Sequence, residues 1–317
     1  HMQGITNHTQ NWLRLTSSRP GVVGSAWYET KQLVIGGFST ELYVRLKTDD
    51  DQMIPGPCKL VSHPKGGEDK QCSRRAGNGF AFVIQNTGLN ALGNGGADMG
   101  YAGLMNGLAI EFDTWYDPHL QDPYENHLAV LTRGKEEMWA THTANIGNTI
   151  EIPDLCDGEQ HLIKIEYDPE MHPARIQHPS FKAAAHLAQL VYPTGSYWKS
   201  GLGLLRIWVD DAIEPVLTVP CNLGSWLGLD AGRAYVGLTA STGASYQNHD
   251  VMSWIFLEEK SETLSTQARA GVLVRGDYDA VPHPNERWAD PAFARTHNYP
   301  GDATGQPSMD GEPNLFA

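Results

Sequence analysis

Short strand-like runs are the feature that most constrains this chain. About ten runs rich in β-branched and aromatic residues are separated by Gly, Pro, Asn and Asp, with almost no helical pattern between them. In one of them, Leu42, Val44 and Leu46 share a face of the extended chain while polar residues take the other face. The runs span residues 12–16, 39–46, 80–85, 108–115, 127–131, 161–167, 204–209, 216–219, 234–238 and 251–257. We therefore predict an all-β fold in which two antiparallel sheets pack as a sandwich.

The composition fits a loop-rich globular protein and argues against several classes of function. The 317 residues include 33 Gly and 19 Pro, and only 19 % are charged. The formal net charge of −14 argues against nucleic acid as a partner, because phosphate binding relies on clustered Lys and Arg. No run approaches the roughly 20 apolar residues of a membrane-spanning helix, so we expect no transmembrane segment. The opening His1-Met2 resembles a cloning remnant, so the start of the chain carries no information about targeting.

Two insertions and a tail interrupt the strand pattern. We predict a β-sandwich domain over residues 1–259, with insertions at 49–76 and 170–200, followed by an extended C-terminal arm at 260–317 that packs on the domain. The second insertion contains one helical segment, residues 182–191, whose apolar stripe is expected to dock on the sandwich, with partner binding as the alternative. The arm is rich in Pro, Gly, Asp and Asn, so it cannot build a core of its own.

Four cysteines, Cys58, Cys72, Cys156 and Cys221, allow three disulfide pairings if all are oxidised. Cys58 and Cys72 bracket a polar loop containing Gly and Pro, where a disulfide would stabilise the fold by closing the loop. Four free thiols in a cytosolic protein remain the alternative, because spacing alone does not decide redox state.

One predicted strand carries a concentration of acidic residues. Glu111, Asp113, Trp115 and Asp117 are spaced by two, so an extended backbone would place all four on one face. Same-face neighbours on a strand are roughly 6–7 Å apart, and like charges held that close in a partly buried sheet repel each other. No Lys or Arg lies within residues 107–131 to compensate them. We therefore predict that divalent cations bind at this strand.

The Pro-rich loop that follows can complete the coordination. Asp122 and His127 come at two further steps of five residues after Asp117. Carboxylates and a backbone carbonyl suit Ca²⁺, whereas a set that includes His suits a transition metal such as Mn²⁺. The segment lacks the central Gly and terminal Glu of an EF-hand, which excludes that motif. A solvated acidic loop without metal is the alternative, and the apolar residues on the opposite strand face argue against it.

Several motifs, in order, resemble those of the legume (L-type) lectin domain, a concanavalin A-like family. The acidic run is similar to that family's metal-binding loop, in which Glu, Asp, an aromatic residue, Asn, Asp and His follow at the same steps. The other matching segments are residues 37–44, 77–82, 95–100, 234–243 and 251–256. The resemblance covers about residues 10–259 apart from the two insertions, and it implies a jelly-roll sandwich.

The resemblance also implies ligands for two cations and a sugar. A transition metal such as Mn²⁺ would be held by Glu111, Asp113, Asp122 and His127. Ca²⁺ would be held by Asp113, the Trp115 carbonyl, Asp117 and Asp122, so that two aspartates bridge the ions. The sugar would lie above the ions, against Asn78, Gly96, Trp115, Asp117, Ser245 and Tyr246. A polar clamp would fix its hydroxyl groups, and an aromatic ring would pack on its C–H face.

Two positions depart from the family's pattern. The family's sugar-binding Asp is Asn78 here, and its Asn that contacts both metal and sugar is Asp117. Asn78 accepts through one oxygen and donates through its nitrogen, whereas Asp117 gains a charge for Ca²⁺ and loses an amide donor. The exchange preserves the total charge, so we expect sugar binding to survive with altered specificity; loss of sugar binding is the alternative. The resemblance also implies a cis peptide between Gly77 and Asn78.

The sequence therefore predicts metal-dependent glycan binding without catalysis. A glycoside hydrolase on the same fold is less favoured, because Glu111-Phe-Asp113 is not followed by the second Glu of a catalytic pair. A protein-interaction module with purely structural metals is the other alternative. Expected partners are glycans or glycoproteins, and a homo-oligomer is left open. Family habit favours a secreted protein or the secretory pathway, with a cytosolic location as the alternative.

Overall fold

The structure, a computed structural model, describes residues 12–48, 54–62, 68–169 and 203–258. Within these residues the strands are β1 (Leu13–Thr16), β2 (Val23–Trp27), β3 (Gln32–Leu33), β4 (Phe38–Lys47), β5 (Ile54–Ser62), β6 (Glu68–Arg75), β7 (Gly79–Gln85), β8 (Gly107–Asp113), β9 (His127–Thr132), β10 (Asn145–Thr149), β11 (Gln160–Asp168), β12 (Gly203–Val209), β13 (Leu217–Cys221), β14 (Arg233–Ser241) and β15 (Asn248–Glu258). A short helix, α1 (Leu223–Trp226), and two 3₁₀ turns, Gly96–Asp98 and His142–Ala144, lie between them.

Two antiparallel sheets contain most of these strands. The six-stranded sheet has the order β1-β15-β4-β11-β12-β13. The seven-stranded sheet has the order β10-β9-β8-β7-β14-β2, with β3 also paired to β14. Strands β5 and β6 form a separate hairpin inside the predicted first insertion. The predicted all-β sandwich is therefore confirmed.

The main core lies between the two sheets. In β4, Leu42, Val44 and Leu46 are buried while the residues between them are more exposed, as the alternating pattern predicts. From the opposite sheet, Phe80 and Phe112 stack with their ring centroids 4.8 Å apart. Each side chain of this kind contributes roughly 1.5–3 kcal/mol when fully buried, so the packing of the two sheets is the main source of stability.

The central strands of the seven-stranded sheet are buried on both faces. In β7, Phe80 and Phe82 belong to the main core, while Ala81 and Val83 belong to a second apolar cluster that includes Tyr101. This second cluster forms because the loop between β7 and β8 folds over the outer face of the sheet. The loop therefore covers the face on which the candidate metal ligands lie.

The ten predicted runs all coincide with strands, and the differences have local causes. The run 108–115 extends two residues too far, because β8 ends at Asp113. The sequence patterns did not indicate β2, β3, β5, β6 or β10. Strand β2 is built largely of small residues, and a Cβ at Gly237 on β14 would lie 2.1 Å from the Trp27 ring, so this pairing depends on a glycine in the neighbouring strand. Tertiary context of this kind overrides intrinsic strand propensity.

Among the described cysteine side chains, one is disulfide-bonded and two are free thiols. Cys58 lies opposite Cys72 in the β5–β6 hairpin. Cys58 is disulfide-bonded, and both Cys156 and Cys221 are free. The alternative of four free thiols is therefore wrong, and the pairing of Cys58 with Cys72 stays a prediction.

Other predictions fall outside the described residues. The helix at 182–191 and the arm at 260–317 lie there, and the domain boundaries stay predictions. Within the part of the chain that the structure describes, no helix has the length and apolar character needed to cross a membrane.

Candidate metal centre and ligand-binding loops

The ends of two adjacent strands carry three of the predicted metal ligands. Strand β8 pairs with β9 so that Asp113 lies opposite His127, and Glu111 lies opposite Ala129. Because alternate residues of β8 such as Phe112 fill the main core, Glu111 and Asp113 point to the outer face of the sheet. Glu111, Asp113 and His127 are only 1 %, 3 % and 0 % exposed. The fold therefore holds two carboxylates and an imidazole in its interior.

Asp122 reaches the same place through the loop after β8. Its Oδ2 accepts a hydrogen bond from the Asp117 N–H at 2.5 Å, which folds the loop back on itself. Ligand atoms of Asp113, Asp122 and His127 lie within 4.8 Å of one another. Nε2 of His127 is also 3.5 Å from Oε1 of Glu111. The structure thus brings together the four side chains that the sequence assigns to the transition metal.

The electrostatics of this cluster require a positive charge. Burial, and then the charges of Glu111 and Asp122, raise the pKa of Asp113 well above its ordinary value. Burial also raises the pKa of Asp122 to about 6, although the hydrogen bond from the Asp117 N–H opposes the shift. Among the described residues, the cluster's ion-pair partners are histidines, and no Lys or Arg pairs with it. Ionised carboxylates at this site are therefore unfavourable unless cations neutralise them.

Two carboxylate oxygens indicate that cations fit the cluster. Oε1 of Glu111 and Oδ1 of Asp122 are buried and accept no hydrogen bond within the described part of the chain. The other oxygen of Glu111 accepts a hydrogen bond from the Tyr101 hydroxyl. A buried acceptor without a partner costs about 1–3 kcal/mol, and a divalent ion removes that cost by coordination. Hard oxygens beside an imidazole are a suitable donor set for the predicted ions.

A second imidazole, which the sequence did not predict, completes the cluster. His142 begins the 3₁₀ turn after β9, where its N–H donates to the Leu120 carbonyl at 2.8 Å. Its Nε2 lies 2.9 Å from Nε2 of His127, and both imidazoles group with Glu111 within 4.8 Å. Burial, and then His127, lower the pKa of His142 to about 4, so the side chain is neutral at physiological pH. His142 follows His127 at no motif spacing, so only the folded loop reveals it.

Trp115 and Asp117 do not extend the acidic strand face. The Trp115 N–H donates to Oδ1 of Asp113 at 2.7 Å, and this turn ends β8. Asp117 lies outside both groups of candidate metal ligands, and its Oδ1 accepts a hydrogen bond from the His119 N–H at 3.0 Å. The prediction that Glu111, Asp113, Trp115 and Asp117 share one strand face is therefore wrong for its last two members. The cause is the local hydrogen bond that the Trp115 N–H donates to the Asp113 carboxylate.

Asn78 lies immediately before β7, beside the end of the acidic strand. Its carbonyl accepts a hydrogen bond from the Thr114 N–H at 3.1 Å. Its side chain is largely buried and makes no hydrogen bond with the residues that the structure describes. Gly243 leaves room for it, because a Cβ there would lie 2.8 Å from Oδ1 of Asn78. The Gly77–Asn78 peptide is trans, the usual form before a residue other than proline, so the predicted cis bond is wrong.

The other predicted sugar-binding residues lie in neighbouring loops. Gly96 starts a 3₁₀ turn with a φ of +67°, which favours glycine, and its carbonyl accepts a hydrogen bond from the Ser241 hydroxyl. Ser245 and Tyr246 are partly exposed, and the Ser245 carbonyl accepts from the Gly243 N–H at 3.1 Å. These loops adjoin the same ends of β7, β8 and β14. They therefore meet at one end of the seven-stranded sheet.

The loop that contains Gly96 also faces the loop after β8, which contains Asp117 and Asp122. Burial raises the pKa of Asp98 in the 3₁₀ turn, and the Asp117 carboxylate adds to that shift. The two loops are thus close enough for their charges to interact, and the Trp115 side chain is partly exposed. Contact of Trp115 and Asp117 with a sugar stays a prediction.

A buried polar network supports these loops from below. Nε2 of Gln247 donates to the Thr114 hydroxyl at 3.2 Å, and Oε1 of Gln247 accepts from the Cys156 thiol at 3.2 Å. The Thr114 hydroxyl in turn donates to the Gly77 carbonyl at 2.8 Å. The network therefore connects the end of the acidic strand with the residue before Asn78.

The same network requires a neutral histidine. Nε2 of His249 accepts a hydrogen bond from Gln247 at 3.1 Å, and its Nδ1 lies 2.5 Å from the Thr16 hydroxyl. Burial lowers the pKa of His249 to about 3. The ordinary pKa of histidine is about 6.5, so on acidification the unfolded chain takes up a proton there before the folded protein does.

We predict that this difference makes the fold sensitive to acid. The free energy of unfolding should fall by about 2 kcal/mol more in the wild type than in His249→Gln between about pH 6.5 and about pH 5. The informative quantity is how far the free energy of unfolding falls between the two pH values in each protein, because the substitution also alters stability at neutral pH. Urea unfolding of both proteins at the two pH values measures it. Equal losses of unfolding free energy in the two proteins would contradict a lowered pKa for His249.

Comparison with known proteins identifies a family. A family model described as the legume lectin domain matches residues 68–270. The probable L-type lectin-domain containing receptor kinase S.7 of Arabidopsis thaliana is 27 % identical over 198 residues, which is 57 % of this chain and 23 % of that protein. The probable receptor kinase VII.2 of the same organism is 24 % identical over 191 residues, 57 % of this chain and 24 % of that protein. The chain thus spans about a quarter of the length of these relatives.

Solved lectin structures share the fold. The exoplasmic/lumenal domain of VIP36, in a form bound to Ca²⁺ and Man3GlcNAc, aligns with a TM-score of 0.50 at 15 % identity, over 86 % of this chain and 88 % of that one. Lectin I-B4 from Griffonia simplicifolia aligns with a TM-score of 0.50 at 17 % identity, over 79 % of this chain and 89 % of that one. At such identities the likeness shows the fold, a legume-lectin β-sandwich.

Proposed function

We propose that this chain, which belongs to the legume lectin domain family, binds glycans without catalysis and requires calcium and a divalent transition metal to do so. The observation that carries the proposal is the position of Asn78. Its largely buried amide makes no hydrogen bond with the described residues and adjoins a cluster of buried carboxylates that require cations. A polar group that makes no hydrogen bond with the described residues and lies beside a candidate metal-binding loop is suited to binding a polar ligand.

The cluster offers two sets of donors. The transition metal, Mn²⁺ or another divalent ion, would take Glu111, Asp113, Asp122 and His127. Ca²⁺ would also take Asp113 and Asp122, together with the Trp115 carbonyl and Asp117. When bound, the ions supply the positive charge that these carboxylates lack. The His119 N–H donates to Oδ1 of Asp117, which leaves the other oxygen of that carboxylate for the ion.

The glycan would lie across the loops that meet above the metal centre. Asn78 would accept from one hydroxyl group and donate to another, and the N–H groups around Gly96 can add a further donor. The partly exposed rings of Trp115 and Tyr246 can pack on the C–H face of a sugar, and Ser245 lies beside them. The Ca²⁺ and Man3GlcNAc described for the VIP36 domain support a site of this kind.

The burial of Glu111 supports a role without catalysis. A retaining glycosidase needs two carboxyl groups about 5–5.5 Å apart that both reach the glycosidic bond. Glu111 is 1 % exposed and hydrogen-bonded to the Tyr101 hydroxyl, so it is poorly placed to meet a substrate. The charge in this cluster is better suited to holding ions than to transferring protons.

Asn78 and Asp117 are exchanged relative to the pattern of the family, and this exchange favours a second candidate function. If the exchange removes sugar affinity, the same metal-ordered loops would serve as a protein-interaction surface with purely structural ions. The two candidates share the metal requirement and differ in the partner that they bind.

We extend the proposal to location. The VIP36 domain is described as exoplasmic/lumenal, and a disulfide at Cys58 suits an oxidising compartment. We therefore place the protein in the secretory pathway or outside the cell, with glycoproteins as partners. A homo-oligomer stays a prediction.

Retention on an immobilised glycoprotein tests the proposed function. We expect the protein to be retained at millimolar calcium, released by EDTA, and not retained once the glycans have been removed enzymatically from the matrix. Retention that survives removal of the glycans would favour the interaction module. Passage through both columns in calcium would contradict binding to the glycans that the matrix carries.

A further inference from the structure

We propose that His142 is a fifth side-chain ligand of the transition metal, so that this site binds Zn²⁺ in preference to Mn²⁺. The inference rests on the proposed metal centre and adds a residue that the spacing of the acidic run does not assign. Its consequence is a difference in metal selectivity, which can be measured apart from glycan binding.

The distances around His142 suit ligands that share one ion. Nε2 of His142 lies 2.9 Å from Nε2 of His127, and it lies 3.9 Å both from Oε1 of Glu111 and from Oδ1 of Asp122. Two atoms bound at about 2.1 Å to one ion are about 3.0 Å apart at a right angle, about 3.4 Å at the tetrahedral angle and about 4.2 Å when opposite. All three measured distances lie close to or within that range. One ion can therefore contact both imidazoles and Glu111, which form one of the two groups of candidate ligands, while Asp122 belongs to the other group, which shares His127.

The carboxylate oxygens near His142 are the two without partners. Oε1 of Glu111 and Oδ1 of Asp122 are buried and accept no hydrogen bond among the described residues, and each of these side chains is 1 % exposed. At 3.9 Å the imidazole is too far away to donate a hydrogen bond to either oxygen. Nε2 of His142 thus lies 3.9 Å from each of two buried oxygens without partners, and an ion coordinated there would supply a partner for the Glu111 oxygen.

Hydrogen bonds define the proton positions of the two imidazoles. Nδ1 of His127 lies 2.7 Å from the Tyr124 carbonyl, which can only accept, so neutral His127 presents a lone pair at Nε2. Nδ1 of His142 lies 3.2 Å from the Asn145 amide nitrogen, and the Asn145 oxygen accepts from the Gly147 N–H at 2.7 Å. His142 therefore accepts at Nδ1 and can donate from Nε2 to His127.

Coordination by His142 requires its proton to move to Nδ1. The Asn145 side chain must then turn its oxygen toward that N–H and give up the bond to the Gly147 N–H. A carboxylate at position 145 can accept from both groups without turning, and it would hold His142 in the form that binds metal. Asn145 is therefore a positioning residue, and its replacement by aspartate should raise the affinity of the site for metal.

The second imidazole determines which ion is favoured. Carboxylate and water ligands suit Mn²⁺, whereas imidazole ligands suit later metals, and the affinity of a given nitrogen and oxygen site rises from Mn²⁺ toward Zn²⁺. A site with His127 alone would discriminate weakly between them. A site with two imidazoles discriminates more strongly, because each nitrogen ligand adds to the difference between the affinities for Zn²⁺ and Mn²⁺.

Competition between metals tests the inference. Wild-type protein stripped of metal and dialysed against equal concentrations of Mn²⁺ and Zn²⁺, with millimolar calcium, should hold zinc by elemental analysis. His142→Gln should lose at least about tenfold in zinc affinity, and Asn145→Asp should gain about tenfold, since partners outside the ligand set already change metal affinity about 10–100-fold. His119→Ala, a change at an exposed histidine of the loop after β8 that also carries Asp122, should alter neither value. The visible spectrum of the Co²⁺-loaded proteins should change with His142→Gln and not with His119→Ala.

The possible results separate this inference from the proposed function. Zinc affinity and Co²⁺ spectra that are unchanged by His142→Gln would overturn the inference and leave the metal centre intact. A wild type that takes up manganese rather than zinc would overturn it in the same way. A wild type that takes up no transition metal would overturn the metal centre as well. Thermal unfolding of each variant in calcium shows whether it remains folded.

Discussion

Removing divalent cations with EDTA should lower the melting temperature of this protein by about 10 °C. A ligand present at about 1,000 times its dissociation constant stabilises the folded state by about 4 kcal/mol, and each kcal/mol shifts the melting temperature of a domain of this size by about 2–4 °C. The physical source is the cluster of Glu111, Asp113 and Asp122, whose buried charges repel one another without cations. Differential scanning calorimetry with calcium and then with EDTA measures the shift.

Asp113→Ala separates the effect of the ions from an ordinary loss of contacts. In calcium the variant should melt several degrees below the wild type, because it lacks a ligand that both ions use. In EDTA it should melt at or above the wild type, because it removes a buried charge whose pKa is raised by its neighbours. The sign of the effect should thus depend on the metal.

Asp250→Ala is the matched control. Asp250 is a buried carboxylate that pairs with Arg14 at 2.7 Å and with Arg45 at 3.2 Å rather than with other acidic groups. Its replacement should lower the melting temperature by a similar amount with and without EDTA, since it removes the buried carboxylate that both arginines contact. If EDTA has no effect on the wild type, or if Asp113→Ala behaves as Asp250→Ala does, the cluster does not hold cations.

Asn78→Ala should sharply reduce glycan affinity while leaving the fold and the metals in place. The side chain makes no hydrogen bond with the described residues, so its removal costs the protein little. A sugar hydroxyl left facing alanine would lack a partner, at about 1–3 kcal/mol for each hydrogen bond lost, which is about a 5- to 150-fold loss of affinity. Isothermal titration with a glycan that the wild type binds measures the loss.

Two further variants define the role of the exchanged pair. Asn222→Ala removes an asparagine that caps helix α1 through the Ser225 N–H, and it should reduce stability without changing glycan affinity. The double change Asn78→Asp with Asp117→Asn restores the arrangement of the family and should shift or raise affinity for simple hexoses. Undiminished binding by Asn78→Ala would remove that residue from the site.

The sequence predicts those parts of the site that depend on the two-residue repeat of side-chain direction along a strand. Glu111 and Asp113 are spaced by two on a strand whose other face is apolar, so their common direction follows from local geometry. His127 follows from the resemblance, and β-sheet pairing then places it opposite Asp113. The ten strand runs are predictable for the same reason, since alternation is recorded in the sequence itself.

The remaining features depend on contacts that no local pattern records. The strand prediction fails at Trp115 because the Asp113 carboxylate accepts a hydrogen bond from the Trp115 N–H and ends the strand. His142 reaches the cluster because the loop after β9 packs against Leu120. Strand β2 pairs with β14 because Gly237 makes room for the Trp27 ring. Each feature is decided by a partner that is distant in sequence or by competition between side chain and backbone.

A glycan array of the wild-type protein, probed in millimolar calcium and again in EDTA, tests the central claim most directly. The account predicts binding to a limited set of glycans in calcium, loss of that binding in EDTA, and recovery when calcium is restored. Binding that persists in EDTA would contradict the metal requirement. An array that is silent in calcium, for the wild type and for the Asn78→Asp, Asp117→Asn double variant alike, would contradict glycan recognition and leave the interaction module as the better account.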